Sequence, residues 1–330
     1  MTALTRSAAT ASALPAGAVV SSRRRLFAFG LVWSIVLLIF AGAQVKSHNA
    51  GLAEPDWPLG YGQVWPTMVG GVFHEHGHRA LASLIGLATV ILAFWTVRSD
   101  GRAWVRRLSV AVLGMVCLQG LLGGLTVWFL LPSWLSASHG TLAQAFLCVA
   151  AWLAYACSRE WAAASSGDLA RLESVDDPDG LATGRAYSAG VFALVVVFIQ
   201  LILGAWMRHT EAGLAVAFFP LSAEGAVLPE FIDERVIIHM AHRGFAYVSA
   251  LAVWRLCVVA GSARSALQRH GTVLALVILV QGLLGAMVIW QGRSPFVTSL
   301  HVTNGALVLL LTWLLVLRLW RRTHEGATHD

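Results

Sequence analysis

"QGLLGGLTVW" occupies Gln119–Trp128, and "QGLLGAMVIW" occupies Gln281–Trp290, 162 residues further on. A near-repeat at that separation marks a duplicated chain. The same offset aligns "GAQVKSHNAGLA" from Gly42 with "GAWMRHTEAGLA" from Gly204, and Pro58-Leu59 with Pro220-Leu221.

Composition says what kind of chain was duplicated. Of 330 residues, 57% are hydrophobic and 12% charged, against ~25% charged in a soluble domain, and mean hydropathy is +0.70. An ordinary soluble domain is excluded. A helix needs about 20 apolar residues to cross a bilayer, and eight such runs stand at 26–45, 80–98, 108–130, 138–157, 187–207, 240–259, 271–290 and 299–318. Each repeat holds an even number of spans, so both enter the membrane in the same direction. The expected fold is an all-α integral membrane protein with eight transmembrane helices in two tandem four-helix bundles of parallel orientation. Residues 1–25 read as a disordered cytoplasmic tail, 26–158 as the N-terminal four-helix half, 159–186 as a cytoplasmic linker, 187–320 as the C-terminal four-helix half and 321–330 as a cytoplasmic tail.

Charge sets the topology. Seventeen of the 23 Lys and Arg, from Arg6 and Arg23–Arg25 to Arg318–Arg322, lie in one alternate set of flanks, and six lie in the other. Cytoplasmic flanks retain positive charge, which places both termini in the cytoplasm. The net charge of +6 and pI near 9.7 report this topology and give no support to a nucleic-acid partner. Cys117, Cys148, Cys157 and Cys257 all lie in or beside apolar runs without a C-x-x-C pair, so they read as core packing. The first 22 residues are rich in Ala and Ser and lack acids, a faint likeness to a transit peptide. The preferred reading is a tail ahead of Arg23–Arg25, with a first apolar run long enough to span rather than a cleavable signal.

The duplication also sorts the histidines. His78-Arg79 returns as His242-Arg243 at an offset of 164, and His139-Gly-Thr returns as His301-Val-Thr at 162. The other histidines have no counterpart. His78, His139, His242 and His301 fall at or just inside the outer starts of the second, fourth, sixth and eighth spans, hence at one depth. Two such histidines per half, on parallel helices, suit bis-histidine haem ligation. Arg79 and Arg243 are candidates for neutralising haem propionates, with interfacial snorkelling as the plain alternative. Glu75, three residues before His78, is replaced by His239 three residues before His242. A carboxylate there would share a helical face with the ligand and serve as general base or stabilise developing positive charge; otherwise it is a charge at a helix start. Within "HEHGHR" (74–79), His74, Glu75 and His78 also spell the H-E-x-x-H zinc protease signature. Only its last histidine is repeated, so His74 and His76 read as loop residues and the zinc protease as a minor alternative.

Glu75-x-x-His78-Arg79, "AGLAEPDWPL" at Ala50–Leu59, "QGLLGG" at Gln119–Gly124, His139, His242-Arg243 and His301, in this order over about residues 26–320, resemble the haem A synthase family. That resemblance implies oxidation of the C8 methyl of haem O to a formyl group through two hydroxylations and loss of water, at the outer side of the membrane. It implies substrate haem O between His78 and His139, a resident haem b with His242 and His301 as axial ligands of its iron and an electron-transfer role, and Glu75 as the catalytic carboxylate. It further implies haem O synthase and cytochrome oxidase assembly factors as partners, while the short, ragged tail favours a bacterial plasma membrane location over the mitochondrial inner membrane. A homo-oligomer is left open. Many family members carry a cysteine pair in the first outer loop. Here Glu54 and Gly60 stand in that neighbourhood. The competing function is a quinol-linked dihaem b-type cytochrome using the same four histidines. A transporter built of parallel repeats would need polar residues at mid-membrane depth, and the spans hold few.

Overall fold

The structure, a computed structural model, describes residues 20–165, 181–263 and 265–324. Nine α-helices stand among them: α1 Ser22–Ser47, α2 Gly70–Ser99, α3 Ala103–Trp128, α4 Ser133–Ala156, the short α5 Arg159–Ser165, α6 Leu181–His209, α7 Glu234–Ala263, α8 Ser265–Trp290 and α9 Pro295–His324. A 3-10 turn, Ala212–Leu214, follows α6. Among the described residues the only strand-like pairing is an isolated bridge between Gly60 and Gln63. All helices except α5 are long and apolar enough to cross a membrane. The protein is a multi-pass, all-helical membrane protein. In lipid the backbone must satisfy its own polar groups, and helices do so within each segment.

The helices run well past the apolar stretches. Helix α2 begins at Gly70, ten residues before the expected span, because "GGVFHEHGHR" has the backbone of a helix although it lacks apolar patterning. His74 and His76 are therefore helical rather than loop residues, a correction that rests on the tertiary partners described below. Helix α1 begins at Ser22, with Ser21 Oγ accepting from the Arg24 N–H at 3.2 Å, so residues 22–25 are helical too. The expected linker 159–186 carries α5 at one end and the start of α6 at the other, and α9 continues to His324. The remainder of the expected tails and linker, residues 1–19, 166–180 and 325–330, lies outside the described residues.

Helix α1 packs on α2, α4 and α9; α3 packs on α2 and α4; α7 packs on α6 and α8; α9 packs on α6, α8 and also on α4. Two apolar clusters result. One gathers Ile35, Ile85, Leu92, Phe146 and Leu147, and the other gathers Val196, Val253, Leu256, Leu274 and Leu315. Helix α9 serves both, giving Leu310 and Leu317 to the first and Val308 and Leu319 to the second. It is accordingly the most enclosed span, whereas α8 is the most exposed. Trp33, Leu84, Phe94, Leu251 and Leu276 point outward, as lipid-facing side chains must where no hydrophobic drive pulls them inward.

Charged residues tie the α1, α2 and α3 ends together. Buried Arg24 donates to Ser99 Oγ and to Asp100 Oδ2, each at 2.7 Å, and Arg102 donates to the same Asp100 carboxylate at 2.8–2.9 Å. Burial alone would raise the Asp100 pKa, but hydrogen bonds from Arg102 and the charges of Arg102 and Arg24 outweigh it and hold the carboxyl below its ordinary value.

Candidate functional site

Each of the four repeated histidines lies about two turns inside its helix, on α2, α4, α7 and α9, and each ring rests on a glycine of a neighbouring helix. A Cβ placed on Gly42 of α1 would lie 2.9 Å from His78 Cε1, and one on Gly204 of α6 would lie 2.9 Å from His242 Cε1. For Gly123 of α3 against His139 Cε1 the distance is 3.3 Å, and for Gly285 of α8 against His301 Cε1 it is 3.1 Å. The absent side chains are what let the imidazoles approach so closely. These glycines pair at the 162-residue offset, so the cradle was duplicated with its histidines.

The polar partners repeat in part. Gln119 Nε2 donates to the His139 carbonyl at 3.0 Å and lies 3.2 Å from its Nδ1; Gln281 Nε2 stands 3.4 Å from His301 Nε2. Gln200 does the equivalent for His242, reaching its carbonyl at 3.0 Å. His78 Nδ1 and His301 Nδ1 are buried with no hydrogen-bond partner. An unsatisfied imidazole nitrogen costs free energy in an apolar surround, a cost that is removed where that nitrogen ligates a metal. The donor set, two imidazoles per half cradled by glycine, fits a planar iron macrocycle.

In each half the loop before the histidine-bearing helix is fastened by the arginine that follows the histidine. Arg79 Nη1 donates to the carbonyls of Asp56 (2.7 Å) and Leu59 (2.9 Å), and Nη2 to that of Glu54 (3.4 Å). Arg243 Nη2 donates to the carbonyls of Val216 (2.8 Å) and Phe218 (2.6 Å), the positions equivalent to Glu54 and Asp56. Trp57 lies edge-on to Trp128 with centroids 5.5 Å apart, and Phe219 to Trp290 at 6.2 Å. Both loops also carry a cis X-Pro bond, Trp57-Pro58 and Phe219-Pro220. The Asp56 carboxylate closes its own turn on the N–H groups of Tyr61 and Gly62. The Gly62 hydrogen bond is the main reason its pKa is lowered.

The halves then diverge. Buried Glu75 accepts the Glu54 N–H at Oε2, 2.9 Å, and pairs through Oε1 with Arg79 one turn along the helix. In the other half His239 takes the same place, with Nδ1 3.4 Å from the Val216 nitrogen and 3.0 Å from the Ala212 carbonyl, and its Nε2 accepts from Arg243 Nε at 2.9 Å. Buried His76 sets Nδ1 2.9 Å from Glu54 Oε1 and Nε2 3.1 Å from the Val64 carbonyl. His74 instead stacks on His48, centroids 3.9 Å apart. The H-E-x-x-H residues thus go to separate partners, and among the described residues no set of three or more His, Cys, Asp or Glu is arranged to hold a metal ion. Sequence reasoning passed over Glu54, His76 and the glutamines. Gln119 and Gln281 head the duplicated motif, and Glu54, like Glu75, is a carboxylate whose counterpart position, Val216, has none.

Comparison with known proteins places the chain among relatives of one kind. The family model of the cytochrome oxidase assembly protein, COX15-CtaA, matches residues 68–314. A protein named Heme A synthase in Sphingopyxis alaskensis is 30% identical over 273 residues, covering 76% of this chain and 71% of that one. The Heme A synthase of Geobacillus kaustophilus is 26% identical over 320 residues, 92% of this chain and 95% of the relative. That of Halalkalibacterium halodurans is 29% identical over 294 residues, 84% and 91% respectively.

Proposed function

The chain belongs to the COX15-CtaA family of cytochrome oxidase assembly proteins, the haem A synthases, and from that premise we propose that it oxidises the C8 methyl of haem O to a formyl group by successive hydroxylations at the outer side of the membrane. As a member of that family it is an oxidoreductase of haem A biosynthesis. The reading is carried by one observation: the histidine cradle occurs twice, and a buried carboxylate one helical turn before its first histidine occurs only in the first half, as Glu75.

In this reading residues 26–158 form the substrate half and residues 187–320 the cofactor half. The contact pattern supports two parallel bundles, since α1 to α4 pack in a ring that α6 to α9 repeat. The excess of Lys and Arg on alternate flanks supports cytoplasmic termini, and the bacterial relatives support a plasma membrane location. His78 and His139 would hold the iron of haem O, and His242 and His301 that of haem b. Haem b, when bound, would supply a one-electron couple to the reaction. Glu75 faces the substrate as a fixed carboxylate, a general base for the protons leaving the methyl carbon or a counter-charge to the cation that develops there. Arg79 fixes the orientation of that carboxylate. The loop that Arg79 fastens shields the site from bulk water, which strengthens both effects. A propionate role for Arg79 and Arg243 would require them to share guanidinium protons now given to loop carbonyls. Haem O synthase and oxidase assembly factors are the partners that supply the substrate and take the product.

The test is to supply the purified protein with haem O and identify the extracted haems by mass spectrometry. Haem B accompanied by haem A or an oxidised intermediate supports the synthase. Haem B in both sites favours the dihaem cytochrome, and zinc without haem overturns both.

A further inference from the structure

We propose that Glu54 is a positioning residue that, together with His76, holds Arg79 so that the Glu75 carboxylate keeps a single orientation. The proposal rests on the reading of the first half as the reacting one. Glu54 has 0% exposure although it belongs to a loop. Its side chain reaches His76 Nδ1 through Oε1 at 2.9 Å and Arg79 Nε through Oε2 at 3.5 Å. Its backbone N–H donates to Glu75 Oε2 and its carbonyl accepts from Arg79 Nη2. Glu54 Oε2 makes no hydrogen bond and faces Arg79 Nε as an ion pair, while Nη2 donates to the Glu54 carbonyl and to Glu75 Oε1, and Glu75 in turn is held by Arg79 and the Glu54 amide.

Space is kept for this arrangement. A Cβ on residue 60 would stand 1.8 Å from Glu54 Oε1, so the carboxylate lies there only because residue 60 is glycine.

The second half acts as an internal control. There Val216 replaces Glu54 and Met240 replaces His76, yet Arg243 still reaches the two loop carbonyls at 2.8 and 2.6 Å. Fastening the loop therefore requires neither the extra carboxylate nor the imidazole. A buried carboxylate is costly unless it is paired, and the half that bears this cost is the half that bears Glu75. Its role is to restrict a guanidinium that would otherwise swing with its loop, which is how supporting residues keep a reacting group in productive geometry.

The experiment is a double-mutant cycle of Glu54→Gln and Glu75→Gln on the full-length protein, with three readouts. Infrared spectroscopy of the protein without substrate follows the Glu75 carboxylate band, assigned by its loss in E75Q. Optical titration follows haem O binding, and mass spectrometry follows turnover. The expected result is a shifted, broadened Glu75 band in E54Q, unchanged haem O affinity, turnover lowered about 10- to 100-fold, and a double variant no slower than E75Q. An unchanged band, or losses that multiply in the double variant, overturns the proposal. Wild-type protein that leaves haem O unaltered overturns the proposed function instead, and the infrared result still decides the positioning of Glu75. Should E54Q fail to accumulate, Gly60→Ala displaces the same carboxylate by contact and carries the same cycle.

Discussion

His78 Cε1 lies 2.9 Å from where a Cβ on Gly42 would stand, and His242 Cε1 lies 2.9 Å from the same point on Gly204. One methyl group on the facing helix therefore competes with each ring for its place. Gly42→Ala is expected to push His78 aside with a stability loss of about 1–3 kcal/mol, as for other overpacked sites, and to deplete haem at the first site. Gly204→Ala should deplete the second. Haem content per chain, measured with and without added haem O, distinguishes the two.

Removing the charge of Glu75 while keeping its shape should separate binding from chemistry. Glu75→Gln is expected to retain haem and lower haem O conversion by about 10²- to 10⁴-fold, the range for loss of a general acid or base. Conversion at the wild-type rate would remove Glu75 from the mechanism.

Arg79 and Arg243 share two equivalent loop carbonyls, but Arg79 also reaches the Leu59 carbonyl and pairs with buried Glu75 and Glu54, whereas Arg243 meets His239 and carbonyl oxygens. Arg79→Ala removes the guanidinium that faces two buried carboxylates, leaving Glu75 only the Glu54 amide and Glu54 only His76, and should cost about 3–5 kcal/mol. Arg243→Ala should cost less, about 1–3 kcal/mol for the orphaned acceptors. Thermal unfolding in detergent tests the order, and a larger loss for Arg243→Ala contradicts it.

Asp100 joins α1, α2 and α3 through Arg24 and Arg102. Its folded pKa lies below the unfolded value of 3.8. Its contribution to stability is therefore fully present above that value and is lost as pH falls through the lower, folded one. Asp100→Asn should lower the unfolding temperature at neutral pH, and the gap from wild type should close on acidification below about pH 4. A gap that widened with acid would refute the sign.

The membrane class, the number of spans, the duplication and the four ligand candidates were legible because each rests on local pattern. Twenty apolar residues cross a bilayer whatever surrounds them, and a duplicated motif can be aligned without knowing where it folds. Glu75 was legible for the same reason, as the position at which the repeats disagree. The start of α2 was not. "GGVFHEHGHR" carries no apolar period, and its helix is supported by partners distant in sequence: Glu54 and the Val64 carbonyl for His76, Glu54 again for Glu75. Nor could spacing alone distribute His74, His76 and His78, which leave three successive parts of one helix for His48, Glu54 and Gly42.

The sequence by itself determined that this protein is a duplicated eight-span membrane chain with two pairs of histidines and, three residues before the first of them, a carboxylate that the second half lacks. Only the tertiary structure decided that each ring lies on a glycine, that Arg79 and Arg243 fasten loops, and that Glu54 is folded over Gly60 onto the Glu75–Arg79 pair. Periodicity records which residues face lipid or core. Which polar groups meet is set by how helices and loops approach one another, and that depends on every contact at once.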